Sequence, residues 1–138
     1  MNRFETYFLN TLADGAKLVR EVGSPNVKIH FDTFHSNIEE KHQAEALRSV
    51  ARYVGHVHIS ENDRGIPGTG HNDWKGIFKT LKDTGYKGWL TIESFAQPEP
   101  ALAAAAAIWR EPAPSGDVLA RQGVRFMRSV ARKVGIRE

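Results

Sequence analysis

The stretch VKIHFD, residues 27–32, decides the fold because apolar and polar side chains alternate along it. Successive side chains of a β-strand point to opposite faces, so the stretch predicts a strand with one apolar face and one ionisable face. The stretches HVHIS (56–60) and WLTIES (89–94) repeat this alternation. The sequence therefore predicts three short strands of the same two-faced character.

Helical periodicity separates these strands. Apolar side chains spaced three and four residues apart predict helices at 6–22, 38–53, 74–84, 99–110 and 116–134. Strands that alternate with helices favour a parallel sheet. An open sheet with helices on both sides needs apolar residues on both faces, whereas a barrel strand can carry polar groups on its inward face. We therefore predict an α/β fold that is part of a (β/α)₈ TIM barrel.

Composition excludes several classes of protein. The 138 residues contain no cysteine, which excludes disulfides, thiolate zinc sites and cysteine nucleophiles, and leaves oxygen and imidazole ligands. There is neither a basic-then-apolar leader nor an apolar run of about 20 residues, so we expect a cytoplasmic location and no membrane partner. The net charge of +3 comes largely from the last helix, and without interleaved aromatic residues it does not predict nucleic-acid binding.

Each predicted strand carries an ionisable residue at or near its C-terminal end, namely Asp32, His58 and Glu93. Barrel active sites are built at that end of the strands. Two carboxylates and an imidazole at matching depth suit a divalent ion with mixed oxygen and nitrogen ligands, such as Mn²⁺, Co²⁺ or Mg²⁺. The alternative is that each residue is a hydrogen-bonded polar group at a strand end.

Four blocks of the sequence resemble the ketose 3-epimerases, the D-tagatose and D-psicose 3-epimerase group of the xylose isomerase-like barrels. These blocks are NRFE (2–5), DTFHSNIEE (32–40), GHVHISENDRGIPGTG (55–70) and ESF (93–95). They occur in the family's order and at similar separations. The resemblance implies a (β/α)₈ barrel that inverts C3 of a ketose through an enediolate.

The resemblance also implies a set of site residues. The family binds one divalent ion, usually Mn²⁺ or Co²⁺, through two glutamates, an aspartate and a histidine. Asp32, His58 and Glu93 correspond to three of these ligands, and Glu93 also corresponds to one of the two catalytic carboxylates. The positions that match contacts to the sugar are Glu5, His35 and Arg64.

The sequence departs from the family pattern at its beginning. The family's remaining glutamate ligand, which is also its second catalytic carboxylate, lies three residues before the position of Asn2, and so before Met1. The resemblance therefore implies that residues 1–138 are the C-terminal half of the barrel domain, and that this chain by itself is inactive. Because exposed strand edges invite pairing with another chain, we expect a homo-oligomer or a self-associating half barrel.

Other interpretations remain open at this point. The chain resembles, more generally, sugar isomerases of the same superfamily that act on hydroxypyruvate or inosose. Abasic-site endonucleases share the fold but use a multi-metal cluster with more histidines than this chain offers. A non-catalytic fragment is the third possibility. Glu61 could replace the absent carboxylate, but its parity and its place in a loop argue against that role.

Overall fold

The computed structural model describes Arg3 and residues 7–136. In these residues, three strands alternate with helices, as the hydrophobic pattern predicts. The elements are α1 (Leu12–Val22), β1 (Ile29–Asp32), α2 (Thr33–Glu39), α3 (Gln43–Val50), a 3₁₀ turn (Ala51–Tyr53), β2 (Val54–Ile59), α4 (Trp74–Asp83), β3 (Leu90–Ile92), α5 (Pro100–Ala105) and α6 (Gly116–Val134).

The strands form one parallel sheet in the order β1-β2-β3. Asp32 is aligned with His58, and His58 is aligned with Thr91, so the C-terminal ends of the strands lie at the same edge. The α/β class and the parallel pairing confirm the prediction made from the alternating pattern. Because β1 and β3 are the outer strands among the described residues, each has one edge with no described neighbour.

The apolar face of the sheet packs against the helices and forms the core. Phe31, Val57 and Ile59 on the strands are completely inaccessible to solvent, as are Leu47 on α3 and Ile77 on α4. Full burial of a side chain of this size contributes about 1.5–3 kcal/mol. The opposite face carries histidines and carboxylates and is partly open to solvent. This division explains why the strands are two-faced in sequence.

Helix α1 begins later than the predicted 6–22. Thr11 is its N-cap, and a capping box joins the Thr11 side chain to the backbone of Asp14 and the Asp14 side chain to the backbone of Thr11. The helix ends at Gly23, whose positive φ of 67° provides the left-handed C-cap. The predicted start was therefore wrong, because a strong cap overrode the apolar periodicity around Phe8.

The predicted helix 38–53 is two helices and a 3₁₀ turn. Asp32 begins α2 directly after β1, and the chain is extended again at Glu40 before α3 starts. The predicted helix 99–110 also ends early, at Ala105, and Ala107 then adopts a positive φ of 53°. Among the described residues, no helix combines the length and the apolar character that crossing a membrane requires.

Candidate active site

Asp32, His58 and Glu93 converge at the C-terminal edge of the sheet. His58 Nδ1 lies 3.6 Å from Asp32 Oδ2 and 3.4 Å from Glu93 Oε1. One potential ligand atom from each of the three residues lies within 4.8 Å of the other two. Parallel pairing brings Asp32 and His58 side by side, and a hydrogen bond from Glu93 N to Ile59 O (3.0 Å) continues that pairing past β3. This arrangement can hold a divalent cation.

The Asp32 carboxylate is oriented by the helix that it caps. Its Oδ1 accepts hydrogen bonds from the backbone N–H groups of Phe34 (2.8 Å) and His35 (3.1 Å). These are orphan donors of the first turn of α2. With Oδ1 held in this way, Oδ2 faces His58. Asp32 is therefore a buried N-cap that also presents an oxygen to the site.

A buried hydroxyl fastens the ends of β1 and β2 beside these residues. Thr33 Oγ1 donates to Ser60 O (2.6 Å) and accepts from Ser60 N (2.8 Å). Asn72 Nδ2 donates to the same carbonyl at 3.0 Å. Since Thr33 follows Asp32 and Ser60 lies two residues after His58, this contact fixes the separation of the two candidate ligands.

Glu93 lies between a carboxylate and a guanidinium group. Its Oε2 is 3.6 Å from Arg64 Nη1. Burial, and then the negative charge of Asp32, raise the pKa of Glu93, while Arg64 and His58 oppose this rise. The carboxyl group therefore gives up and regains a proton at a higher pH than an exposed glutamate would. A group of this kind can act as a general base and a general acid.

Arg64 is held in an unusual conformation above the site. It is buried, and its guanidinium carbon lies 4.1 Å from the ring centre of Phe34 and 4.2 Å from that of Phe95. Its φ is 63°, a region that non-glycine residues rarely occupy. Two aromatic rings and a strained backbone thus fix the direction of this cation.

Glu61 organises the loop that carries Arg64, a role that sequence reasoning missed. Its fully buried carboxylate accepts from Asn62 N (3.0 Å) and Asn72 N (3.3 Å) through Oε1, and from Gly68 N (2.7 Å) and Trp74 Nε1 (2.9 Å) through Oε2. These four hydrogen bonds agree with the prediction that Glu61 is a poor replacement for the second catalytic carboxylate. The signal for this role in the sequence was the position of an acidic residue just before a glycine-rich loop.

The remaining predicted site residues are less closely grouped. His35 is partly buried on α2, with its ring 5.1 Å from that of Phe34. Glu5 lies outside the described residues. A depression of about 400 Å³ opens beside Arg64 and is also lined by Trp109 and Arg110, but not by Glu93.

Comparison with known proteins gives a consistent result. A family model described as xylose isomerase-like TIM barrel matches residues 1–129. The chain is 41% identical over 128 residues to a "probable ketose 3-epimerase" of Synechocystis sp., a match that covers 93% of this chain and 45% of the relative.

Two solved structures are also similar. An L-ribulose 3-epimerase has a TM-score of 0.87 and 39% identity, over 96% of this chain and 47% of that one. A D-allulose 3-epimerase from Methylomonas sp., in complex with D-allulose, has a TM-score of 0.86 and 37% identity, over 94% and 46% of the two chains. The chain spans about half the length of the proteins that it matches.

Proposed function

The chain belongs to the xylose isomerase-like TIM barrel family, and from this premise we propose that it carries part of the active site of a metal-dependent ketose 3-epimerase. The observation that supports the proposal most directly is the convergence of Asp32, His58 and Glu93 within 4.8 Å of one another. The similarity to a probable ketose 3-epimerase and to an allulose-bound structure supports the choice of substrate class. In this proposal residues 1–138 form the C-terminal half of the barrel domain.

The donor set fits a divalent ion. Two carboxylates and one imidazole match Mn²⁺ best, and Co²⁺ or Mg²⁺ would suit the same ligands. Asp32 would offer Oδ2, since Oδ1 caps α2, while His58 would offer a ring nitrogen and Glu93 a carboxylate oxygen. A bound ion would supply Lewis-acid stabilisation to the carbonyl and neighbouring hydroxyl of a ketose.

Glu93 would move the proton at C3 of the sugar. In the metal-free chain, burial and the charge of Asp32 raise the pKa of Glu93, whereas a bound cation would favour the ionised, proton-accepting form of the carboxyl group. Arg64, held between two aromatic rings, would donate hydrogen bonds to the sugar hydroxyls, and His35 and Glu5 would bind the same end of the substrate. Removal of the proton gives an enediolate, and its return on the other face inverts C3.

Inversion needs a second proton carrier on the opposite face. Among the described residues, the loop after β2 carries two other acidic side chains close to the site, and both are already engaged. Both oxygens of Glu61 accept hydrogen bonds, while Asp63 accepts from Gly65 N and from Arg110 Nη2. We therefore propose that this chain by itself does not epimerise ketoses. The edges of β1 and β3 that have no neighbour among the described residues favour self-association, with a homo-oligomer as the expected state. The cytoplasmic location stays a prediction from the sequence.

Metal binding and turnover are tested separately. Mn²⁺ binding to the purified chain is followed by the loss of the electron paramagnetic resonance (EPR) signal of free Mn²⁺. We expect Asp32→Asn and Glu93→Gln each to weaken binding at least tenfold, and the exposed control Glu99→Gln to bind as the wild type does. Equal binding by all four proteins would refute the proposed ligand set.

Turnover is measured as conversion of fructose to psicose with Mn²⁺ present. We expect no conversion by the chain alone, and conversion after a polypeptide carrying the first half of an epimerase barrel is added. Turnover by the chain alone at the rate of a full-length relative would refute the proposed inactivity. Failure of complementation, with Mn²⁺ binding intact, would favour a non-catalytic fragment.

A further inference from the structure

A second group of potential metal ligands lies on the same face of the sheet, nearer the N-terminal ends of the strands than Glu93. It comprises His30 on β1 with His56 and His58 on β2, which we call the histidine cluster. His30 is the register partner of His56. His58 follows two residues later and therefore points to the same face. Register and parity thus place three imidazoles together.

The rings are close enough to share an ion. Ring centres are 5.1 Å apart for His30 and His56, 4.0 Å for His30 and His58, and 5.1 Å for His56 and His58. One nitrogen from each ring lies within 4.8 Å of the other two. Zinc–nitrogen bonds of about 2.0–2.1 Å require ligand nitrogens about 3.4 Å apart in tetrahedral geometry. Small rotations of these side chains would bring the three nitrogens to that separation.

No hydrogen bond joins the ring of His30 or His56 to another described residue, which leaves these rings available to a ligand. His30 is exposed, and the other two side chains are partly exposed, so an ion can reach them from solvent. Surface histidines can be similarly accessible, as His71 is, but they do not bring three nitrogens together.

We propose that the histidine cluster is a nitrogen-only site for a borderline divalent cation, with Zn²⁺ as the preferred ion. Imidazole ligands suit Zn²⁺ and Cu²⁺, whereas the carboxylate-rich cluster of Asp32, His58 and Glu93 suits Mn²⁺ and Mg²⁺. The two sites have only His58 in common. The proposal does not depend on epimerase activity.

Substitution of a ligand that belongs to only one of the two sites distinguishes them experimentally. Zn²⁺ binding to the metal-free full chain is measured by isothermal titration calorimetry for the wild type, His30→Leu, Glu93→Gln and the exposed control His71→Leu. We expect His30→Leu to weaken Zn²⁺ binding at least tenfold and the other two variants to bind as the wild type does. Mn²⁺ binding should show the reverse dependence, with loss in Glu93→Gln and retention in His30→Leu.

Two outcomes would overturn the proposal: wild-type Zn²⁺ affinity in His30→Leu, or loss of Zn²⁺ binding in Glu93→Gln. Far-ultraviolet circular dichroism confirms that each variant is folded. His30→Gln provides a second, polar substitution if the leucine variant does not fold. Cu²⁺ EPR gives an independent reading, since the nitrogen hyperfine pattern should report three nitrogens in the wild type and fewer in His30→Gln. An unchanged pattern would also refute the site.

Discussion

Replacement of Thr33 with valine should destabilise the sheet next to the candidate ligands. The two side chains have nearly the same shape, so the substitution leaves no large cavity and removes one buried hydroxyl. That hydroxyl makes two hydrogen bonds to Ser60, of 2.6 Å to its carbonyl and 2.8 Å from its N–H group. Thr33 and Ser60 are both completely inaccessible to solvent, so water cannot replace the lost partner.

The magnitude follows from the two bonds. An unsatisfied buried N–H group costs about 1–3 kcal/mol, and loss of the second bond costs about 1 kcal/mol more. The Ser60 carbonyl keeps its bond from Asn72 Nδ2, which limits the second contribution. We therefore expect Thr33→Val to lower the free energy of unfolding by about 2–4 kcal/mol. For a urea dependence of about 2 kcal/mol per molar, the midpoint falls by about 1–2 M.

Urea unfolding followed by circular dichroism measures this effect. The matched control is Thr69→Val, which removes a hydroxyl that donates to Ile66 O at 2.7 Å in an exposed loop. Surface substitutions of this kind change stability by about 0.5 kcal/mol or less. The reasoning is refuted if Thr33→Val unfolds at the wild-type midpoint, or if the two valine variants lose equal stability.

Four other substitutions test three separate features. Glu61→Gln should lower the free energy of unfolding by about 2–4 kcal/mol. The NH₂ group of the new glutamine would face N–H donors that in the wild type meet a carboxylate oxygen. Wild-type stability in urea would contradict this. Gly23→Ala should cost about 1 kcal/mol from its positive φ alone. Gly68→Ala should cost at least twice as much, because its Cβ would also clash with the Phe126 ring. Equal thermal shifts in the two variants would be inconsistent with that clash. Glu93→Gln should stabilise the metal-free chain at pH 7, and the gain should vanish below about pH 4. The raised pKa of Glu93 means that the folded chain binds the carboxyl proton more tightly than the unfolded chain does. The loss of stability from ionised Glu93 therefore develops as pH rises from the ordinary carboxyl pKa to the raised one. In thermal melts with a chelator from pH 4 to pH 8, a stability gain in Glu93→Gln that did not depend on pH would disprove this.

The sheet could be predicted from sequence because the pattern that specifies it lies in short, continuous stretches of the chain. Alternation in VKIHFD assigns each side chain to a face, and strand ends of a parallel sheet meet at one edge. These two facts bring Asp32, His58 and Glu93 together before any coordinates are known. The structure confirms their proximity, and their roles in metal binding and catalysis stay predictions.

The features that sequence reasoning missed depend on particular side-chain contacts. Helix α2 has seven residues, too few for a periodic pattern, and it exists where Asp32 caps it directly after a strand. The role of Glu61 depends on donors up to 13 residues away, which only the folded loop brings to its carboxylate. Apolar periodicity carries no signal for either feature.

The double engagement of Asp32 makes its position unusually intolerant of substitution. Asparagine retains an oxygen for the cap but loses the negative charge, serine retains the cap but does not reach the cluster, and glutamate retains the charge but caps poorly. Each of these replacements removes one of the two functions and leaves the other measurable. A mutational scan at this single position would therefore separate what the residue contributes to folding from what it contributes to cation affinity, and only aspartate should score highly on both.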